Sequence, residues 1–197
     1  MRRPHKTLYD ATTDLFYVHG AFSQTIFCYK NIGGNLVEQY NKHLGFLEGS
    51  YCRSINIIDG YMYFISELGK IFKTNYISQN YEVISTYIMP PELVFMDDVN
   101  KIGSYFYVSV MGGNLVRTQN LDSLETSTYE DLSNNYGIID NPYFASYFDG
   151  KIYFTEVGET QNSIIEVNPN DINDFRIVHR FIGITEEDIK RRELYPR

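Results

Sequence analysis

Tryptophan is absent from this chain, and cysteine (2), histidine (4), methionine (5) and proline (6) are all sparse. Two cysteines are too few for the disulfide framework of a small secreted scaffold. Cys28 and Cys52 can form one bridge, but they fall on different strands of different repeats, which favours two free, partly buried thiols. Long apolar runs are missing as well: none approaches the roughly 18 residues of a membrane-spanning helix. Met1-Arg2-Arg3-Pro4-His5-Lys6 is basic but lacks the apolar stretch of a signal peptide. As written the chain is expected in the cytoplasm, an expectation that fails if it is cut from a longer secreted protein.

Positive charge is also in short supply. Lys and Arg total 17 against 25 Asp and Glu, a net charge of −8. That balance argues against nucleic acid as a partner, since such proteins carry a basic footprint. The basic residues cluster at the ends (Arg2, Arg3, Lys6; Lys190, Arg191, Arg192, Arg197), the usual place of solvated termini. Catalytic signatures are lacking too. No histidine makes an HxH or HExxH pattern, no serine stands in GxSxG, and the acidic pairs match no EF-hand loop. Gly-Gly-Asn-Leu-Val occurs at 33–37 and 112–116, but the pattern after it is strand and not the helix a phosphate cradle needs.

What is abundant is aromatic. The 197 residues include 18 Tyr and 13 Phe, with 43% hydrophobic and 21% charged residues. That is a globular composition, long enough for one domain with a sizeable core. The aromatics fall in short runs with Val and Ile, the make-up of half-buried strands.

Four of these runs repeat. Leu15-Phe16-Tyr17-Val18, Tyr61-Met62-Tyr63-Phe64, Tyr105-Phe106-Tyr107-Val108 and Lys151-Ile152-Tyr153-Phe154 place a tyrosine at intervals of 46, 44 and 46 residues. A turn precedes each run: Asp10–Asp14, Asp59-Gly60, Ile102-Gly103 and Asp149-Gly150. Asp-Gly between apolar runs is a strong hairpin signal, because both turn residues must reach positive φ. A third strand follows in each unit (from Thr25, Lys70, Asn114 and Ser163). A fourth is expected at Leu36–Tyr40, Glu82–Tyr87, Glu125–Tyr129 and Arg176–Phe181.

A four-stranded antiparallel meander of about 45 residues is the unit of a propeller blade. The fold expected is therefore all-β: a β-propeller of four blades at 4–45, 51–90, 96–135 and 141–184. A short C-terminal helix or tail is expected at 185–197, with Thr185 as N-cap. A β-sandwich or open barrel is the competing architecture. Four blades can close by themselves, or can be an arc of a six- to eight-bladed ring completed by missing blades or by oligomerisation.

Pro4-His5-Lys6-Thr7-Leu8-Tyr9-Asp10 resembles the inner-strand opening of NHL-type and SMP-30/gluconolactonase-like propellers, where a Pro-small/His-Gly segment leads into an apolar strand and an Asp turn. Lys6 stands where Gly is usual, and the other three units lack the Pro-Gly opening. The resemblance implies a metal-dependent lactonase with an acidic and amide metal set at the channel mouth. The glutamate such sites place at an inner-strand start is found in none of the four units.

Propeller ligands bind where inner strands and their preceding loops converge. Ten residues before the aligned tyrosine lie Arg53, Asp97 and Tyr143; the longer first turn brings Pro4-His5 to the same place. The expected mouth comprises His5, Lys6, Arg53, Asp97, Asp98, Asn100 and Asn141, with Tyr51 and Tyr143 as aromatic walls. Arg53 can bind a carboxylate, phosphate or sugar oxygen through its planar fork. The simpler reading is that Arg53 pairs with Asp97 or Asp98 across adjacent strands and that His5 caps a turn. Two functions follow. The first is a non-catalytic module, without cofactor, binding a protein, peptide or glycan ligand at the mouth and loops. The second is the lactonase-like hydrolase, in which Asp97, Asp98, Asn141 and His5 hold a divalent metal such as calcium and His5 can serve as base. Either reading, with an open channel, expects Arg53→Ala and Asp98→Ala to leave folding largely intact.

Overall fold

The computed structural model describes residues 4–20, 22, 24–110, 114–122, 124, 129–132, 142–157 and 162–181. Among them sixteen strands form four four-stranded antiparallel sheets, each strand bonded to its neighbour in sequence. Blade one is β1 (Pro4–Asp10), β2 (Leu15–Gly20), β3 (Thr25–Ile32) and β4 (Asn35–His43). Blade two is β5 (Cys52–Ile58), β6 (Tyr61–Ser66), β7 (Lys70–Asn75) and β8 (Glu82–Ile88). Blade three is β9 (Met96–Ile102), β10 (Tyr105–Val110), β11 (Asn114–Thr118) and β12 (Glu130–Asp131). Blade four is β13 (Pro142–Phe148), β14 (Lys151–Val157), β15 (Asn162–Asn168) and β16 (Asp171–Arg180). The fold is the expected all-β propeller of four blades. The segment expected to form a C-terminal helix lies outside the described residues.

Turn chemistry explains the hairpins. Asp59 and Gly60 have φ of 49° and 77°, and Asp149 and Gly150 have 46° and 75°. Two consecutive positive φ values give a turn whose twist matches the flanking strands. In blade one the longer loop is held by Asp10, whose carboxylate accepts from the Thr12 and Thr13 N–H groups, the Thr13 hydroxyl and Tyr76 Oη. Burial pushes the Asp10 carboxyl up, but these bonds outweigh it and hold it below its ordinary value.

The outer strand expected for blade three at Glu125–Tyr129 falls mostly outside the described residues. Its described part is a two-residue strand at Glu130–Asp131, paired with Arg117 and Val116. Residues 125–128 lie outside the described residues. In blade four the outer strand is longer than expected and begins at Asp171.

The inner strands β1, β5, β9 and β13 pack in succession about the axis. Strand alternation then assigns each blade two faces. Tyr17, Tyr63 and Tyr107, the aligned tyrosines, are 1%, 3% and 1% exposed and insert into the core shared with the following blade. Their neighbours Met62 and Phe64, Val108, and Ile152 and Phe154 face the preceding blade. One tyrosine thus does the same packing job in each of blades one to three, which is why its spacing is regular. Burying such a ring contributes on the order of 2–3 kcal/mol.

The crossings between blades add anchors of their own. Single 3-10 turns at Gly45–Leu47 and Pro91–Leu93 drop Leu47 into the core between blades one and two and Leu93 into the core between blades two and three. Cys28 and Cys52 are free and buried in the core between blades one and two. Burial raises the Cys28 thiol and pushes Cys52 up to about 12.

Candidate functional site

Each inner strand breaks register once, near its start. In β1 the pairing jumps from Pro4↔Gly20 to Lys6↔His19, leaving His5 as the extra residue. In β5 it jumps from Cys52↔Ser66 to Ser54↔Ile65, leaving Arg53. In β9, Val110 pairs with Met96 and Ser109 with Asp98, leaving Asp97. In β13 it jumps from Pro142↔Glu156 to Phe144↔Thr155, leaving Tyr143. A bulge inserts one unpaired residue, bends the strand and re-aims a side chain. The same bulge in four blades sets His5, Arg53, Asp97 and Tyr143 at equivalent points around one end of the axis. Asn141 lies outside the described residues.

The bulge residues and their surroundings make the outer layer of the mouth. The His5 ring donates from Nδ1 to the Arg53 carbonyl at 2.5 Å and packs edge-on against Tyr51, with centroids 5.9 Å apart. Half-burial lowers the His5 pKa; the bond to the Arg53 carbonyl works against this, and the Arg53 and Lys6 charges add to it. The Arg53 guanidinium lies 4.7 Å from the Tyr51 ring centroid, a cation–π arrangement. It reaches Asp97 and Glu67 at 3.9 Å each, ion-pair contacts longer than hydrogen bonds. Phe22, more than half exposed, packs edge-on to Tyr51 at 4.6 Å.

Asp97 is the anomaly of this layer. It is 1% exposed, and neither carboxylate oxygen accepts a hydrogen bond. Burial pushes its pKa up to about 6; the Arg53 charge opposes the rise and the Asp98 charge assists it. Buried carboxylates are normally fully bonded, so an orphaned one calls for an explanation.

One residue further along the strands lies an inner layer of the opposite character. Lys6 Nζ donates to Ser54 Oγ (2.9 Å), Asn56 Oδ1 (2.8 Å) and both oxygens of Asp98 (2.9 and 3.1 Å). Asp98 also accepts from Ser54 (2.5 Å), Asn56 (2.6 Å) and Asn100 (3.0 Å). Asn100 and Asn56 tie the cluster to the backbone carbonyls of Ala145 and Val99. A charge pair taken out of water needs this degree of satisfaction to hold. The network spans all four inner strands and fixes their relative positions.

The structure therefore brings His5, Lys6, Tyr51, Arg53, Asp97, Asp98 and Asn100 to one end of the axis but divides them by role. Lys6, Asp98 and Asn100 tie blades together, while His5, Tyr51, Arg53 and Asp97 form the mouth. The pairing expected for Arg53 goes to Asp97, and Asp98 belongs to Lys6. Ser54, Asn56, Glu67 and Phe22 were not anticipated. Ser54 and Asn56 carried a signal: they interrupt an apolar strand at the positions where the next unit has Asp98 and Asn100. The opposite end of the molecule holds a cleft of about 310 Å³ lined by Ile102, Tyr105, Tyr147 and Pro169, with no charged side chain among the described residues.

Four sheets of this topology about one axis define a β-propeller. No protein-family model matches the sequence, and no curated protein matches it. Solved propellers do resemble it. A putative 6-phosphogluconolactonase from Bacteroides uniformis superposes with a TM-score of 0.61 at 14% identity, covering 89% of this chain and 53% of that one. A chain of the nidogen/laminin complex gives 0.64 at 12% identity, over 85% of this chain and 62% of that one. The Pan2 WD40 domain of Neurospora crassa gives 0.59 at 10% identity, over 91% and 50%. Identities this low establish the fold alone. The chain spans between about half and three fifths of the length of these neighbours.

Proposed function

We propose that the protein is a non-catalytic binding module that takes a protein, peptide or glycan segment at the mouth formed by His5, Tyr51, Arg53 and Asp97. The observation that carries this reading is the repeated bulge. Four equivalent strand positions hold histidine, arginine, aspartate and tyrosine, while Lys6, Ser54 and Asp98 beside the first three belong to the inner polar network. Bulge positions that recur in every repeat, with a different residue in each, suit recognition of an asymmetric ligand. Arg53 offers a planar donor fork backed by an aromatic ring, and Tyr51 and Phe22 offer apolar edges beside it.

Binding of fluorescent protein to peptide and glycan arrays, followed by titration of the hits, tests the proposal. Arg53→Ala and Tyr51→Ala are expected to weaken a hit at least about tenfold while leaving the circular dichroism spectrum unchanged. The alternative is a metal-dependent hydrolase resembling the SMP-30-like propellers, using Asp97, Asp98, Asn141 and His5. Against it, both Asp98 oxygens are occupied by Lys6, Ser54, Asn56 and Asn100. A melting temperature raised several degrees by calcium, magnesium, manganese or zinc, together with metal-dependent lactone hydrolysis, would replace the binding reading with this one.

A further inference from the structure

Three inter-blade cores join blades one to two, two to three and three to four. Among the described residues no cluster of buried side chains joins blade four to blade one. The two faces that such a junction would use are nonetheless built like those of the other junctions.

On blade one, the positions equivalent to Phe64 and Phe72 of blade two are Val18 and Phe27. Register places Thr7, Val18 and Phe27 in one cross-strand row and Tyr9, Phe16 and Tyr29 in the next. Their side chains are half-buried to exposed, whereas Met62, Phe64 and Phe72 at the corresponding places of blade two are buried. On blade four, Phe148 corresponds to Ile58 and Ile102. Those two are 6% and 9% exposed in the core of the following blade, and Phe148 is 72% exposed. Tyr153, the fourth aligned tyrosine, lies on the same face and is only half-buried. The free face of blade four thus carries the residues that elsewhere insert into a following blade, and the free face of blade one carries those that elsewhere receive them.

We infer that two copies of this chain close a single eight-bladed ring. Blade four of each copy packs on blade one of the other through Phe148 and Tyr153 against Tyr9, Phe16, Val18 and Phe27. Two observations select a second copy as the occupant. The missing junction continues a pattern the molecule builds three times over. The propellers it resembles carry up to about twice its length, the chain covering 53% and 50% of two of them, so two copies supply about one ring's worth of blades. The two junctions are related by a two-fold axis along the channel, which closes the assembly instead of propagating it. The inference stands apart from the binding proposal, since it concerns different residues.

Light scattering on the eluting 197-residue chain tests it. The expected mass is twice 23.0 kDa. Val18→Asp and Phe148→Asp each place a charge on one free face and are expected to give the single mass with a native circular dichroism spectrum and a cooperative melt. Mixing the two variants is expected to restore a dimer, because one of its junctions then pairs two unaltered faces. A wild-type chain that stays at the single mass at every concentration overturns the inference and leaves the faces to further blades of a longer polypeptide. A dimer indifferent to both substitutions, a mixture that does not re-associate, or a mass that grows without limit overturns it equally. If a variant loses its native spectrum, the wild-type mass and an Ile88→Asp control on an outer strand decide. A doubled mass unchanged by Ile88→Asp supports the ring, and a doubled mass that Ile88→Asp abolishes overturns it.

Discussion

Lys6 on blade one and Asp98 on blade three meet at 2.9 Å across the start of β5, with Ser54 and Asn56 of the intervening blade bonded to both. The contact links residues 92 apart in sequence and makes the polar layer a clasp among blades. Removing one partner leaves the other charge buried without its counter-ion, a loss of about 3–5 kcal/mol. Lys6→Met and Asp98→Ala are each expected to lower the melting temperature by roughly 10 °C at this chain length. The double variant is expected to cost clearly less than the sum of the two. Thermal melts of the three variants check this. For Asp98 it reverses the open-channel expectation that alanine would leave folding largely intact.

Asp97 is expected to behave in the opposite way. Its folded-state pKa is pushed up to about 6 from an ordinary 3.8, so the folded state holds the proton more tightly than the unfolded one. That stabilisation is fully present below pH 3.8 and is lost as the pH rises through 6, leaving a buried anion that costs stability at neutral pH. Asp97→Asn removes the charge and breaks no hydrogen bond. It is expected to stabilise the protein by about 1–3 kcal/mol at pH 8 and to change little at pH 4. Stability gained together with ligand binding lost would mark Asp97 as a residue kept for function; a destabilised Asp97→Asn would make its pairing with Arg53 structural.

His19 supplies the acid limb. It is buried in β2 beside Phe64, with centroids 6.1 Å apart, and neither ring nitrogen has a hydrogen-bond partner. Burial, helped by the His5 charge, lowers its pKa from 6.5 to about 4. The folded state therefore resists the proton that the unfolded state accepts. Stability is unaffected above pH 6.5 and is lost as the pH falls from 6.5 to 4, by at most about 3 kcal/mol. Asp97 titrates with the opposite sign between 3.8 and 6 and masks part of this slope. His19→Leu in an Asp97→Asn background is expected to flatten stability over that window, as read from urea melts at pH 4, 5, 6 and 7.

The four blades were legible in the sequence because Tyr17, Tyr63 and Tyr107 do identical work, packing into the next blade, and identical work forces identical spacing. The hairpins were legible because positive φ restricts residue choice to Asp-Gly and its like. The bulges were not. A bulge is a relation between two strands, and nothing at His5 or Arg53 alone reports that its partner strand is one residue short. Lys6 was counted with the mouth for the same reason: the bulge at His5 is what turns it toward Ser54 and Asp98. The Arg117–Glu130 ion pair that joins β11 to β12 was not legible either, because it depends on a register that neither strand carries alone.

Gly69 links the scaffold to the mouth. It turns the β6–β7 hairpin at φ +72°, and its carbonyl accepts the Met89 N–H at 2.8 Å, pinning the crossing that leads to β9. A Cβ on Gly69 would stand 3.3 Å from Val94 Cγ2 and 3.4 Å from Val94 Cα, three residues before Asp97. Gly60 has a similar φ of +77° with nothing within 4 Å of its would-be Cβ. Gly60→Ala is therefore expected to cost only the left-handed conformation, about 1 kcal/mol. Gly69→Ala carries that cost plus displacement of Val94, and is expected to lose about 2–3 kcal/mol in total. It should also weaken any ligand bound through Arg53 and Asp97, because the start of β9 moves with Val94. Denaturant melts of the two variants beside their ligand titrations separate backbone strain, common to both, from the push on the mouth, present only at Gly69.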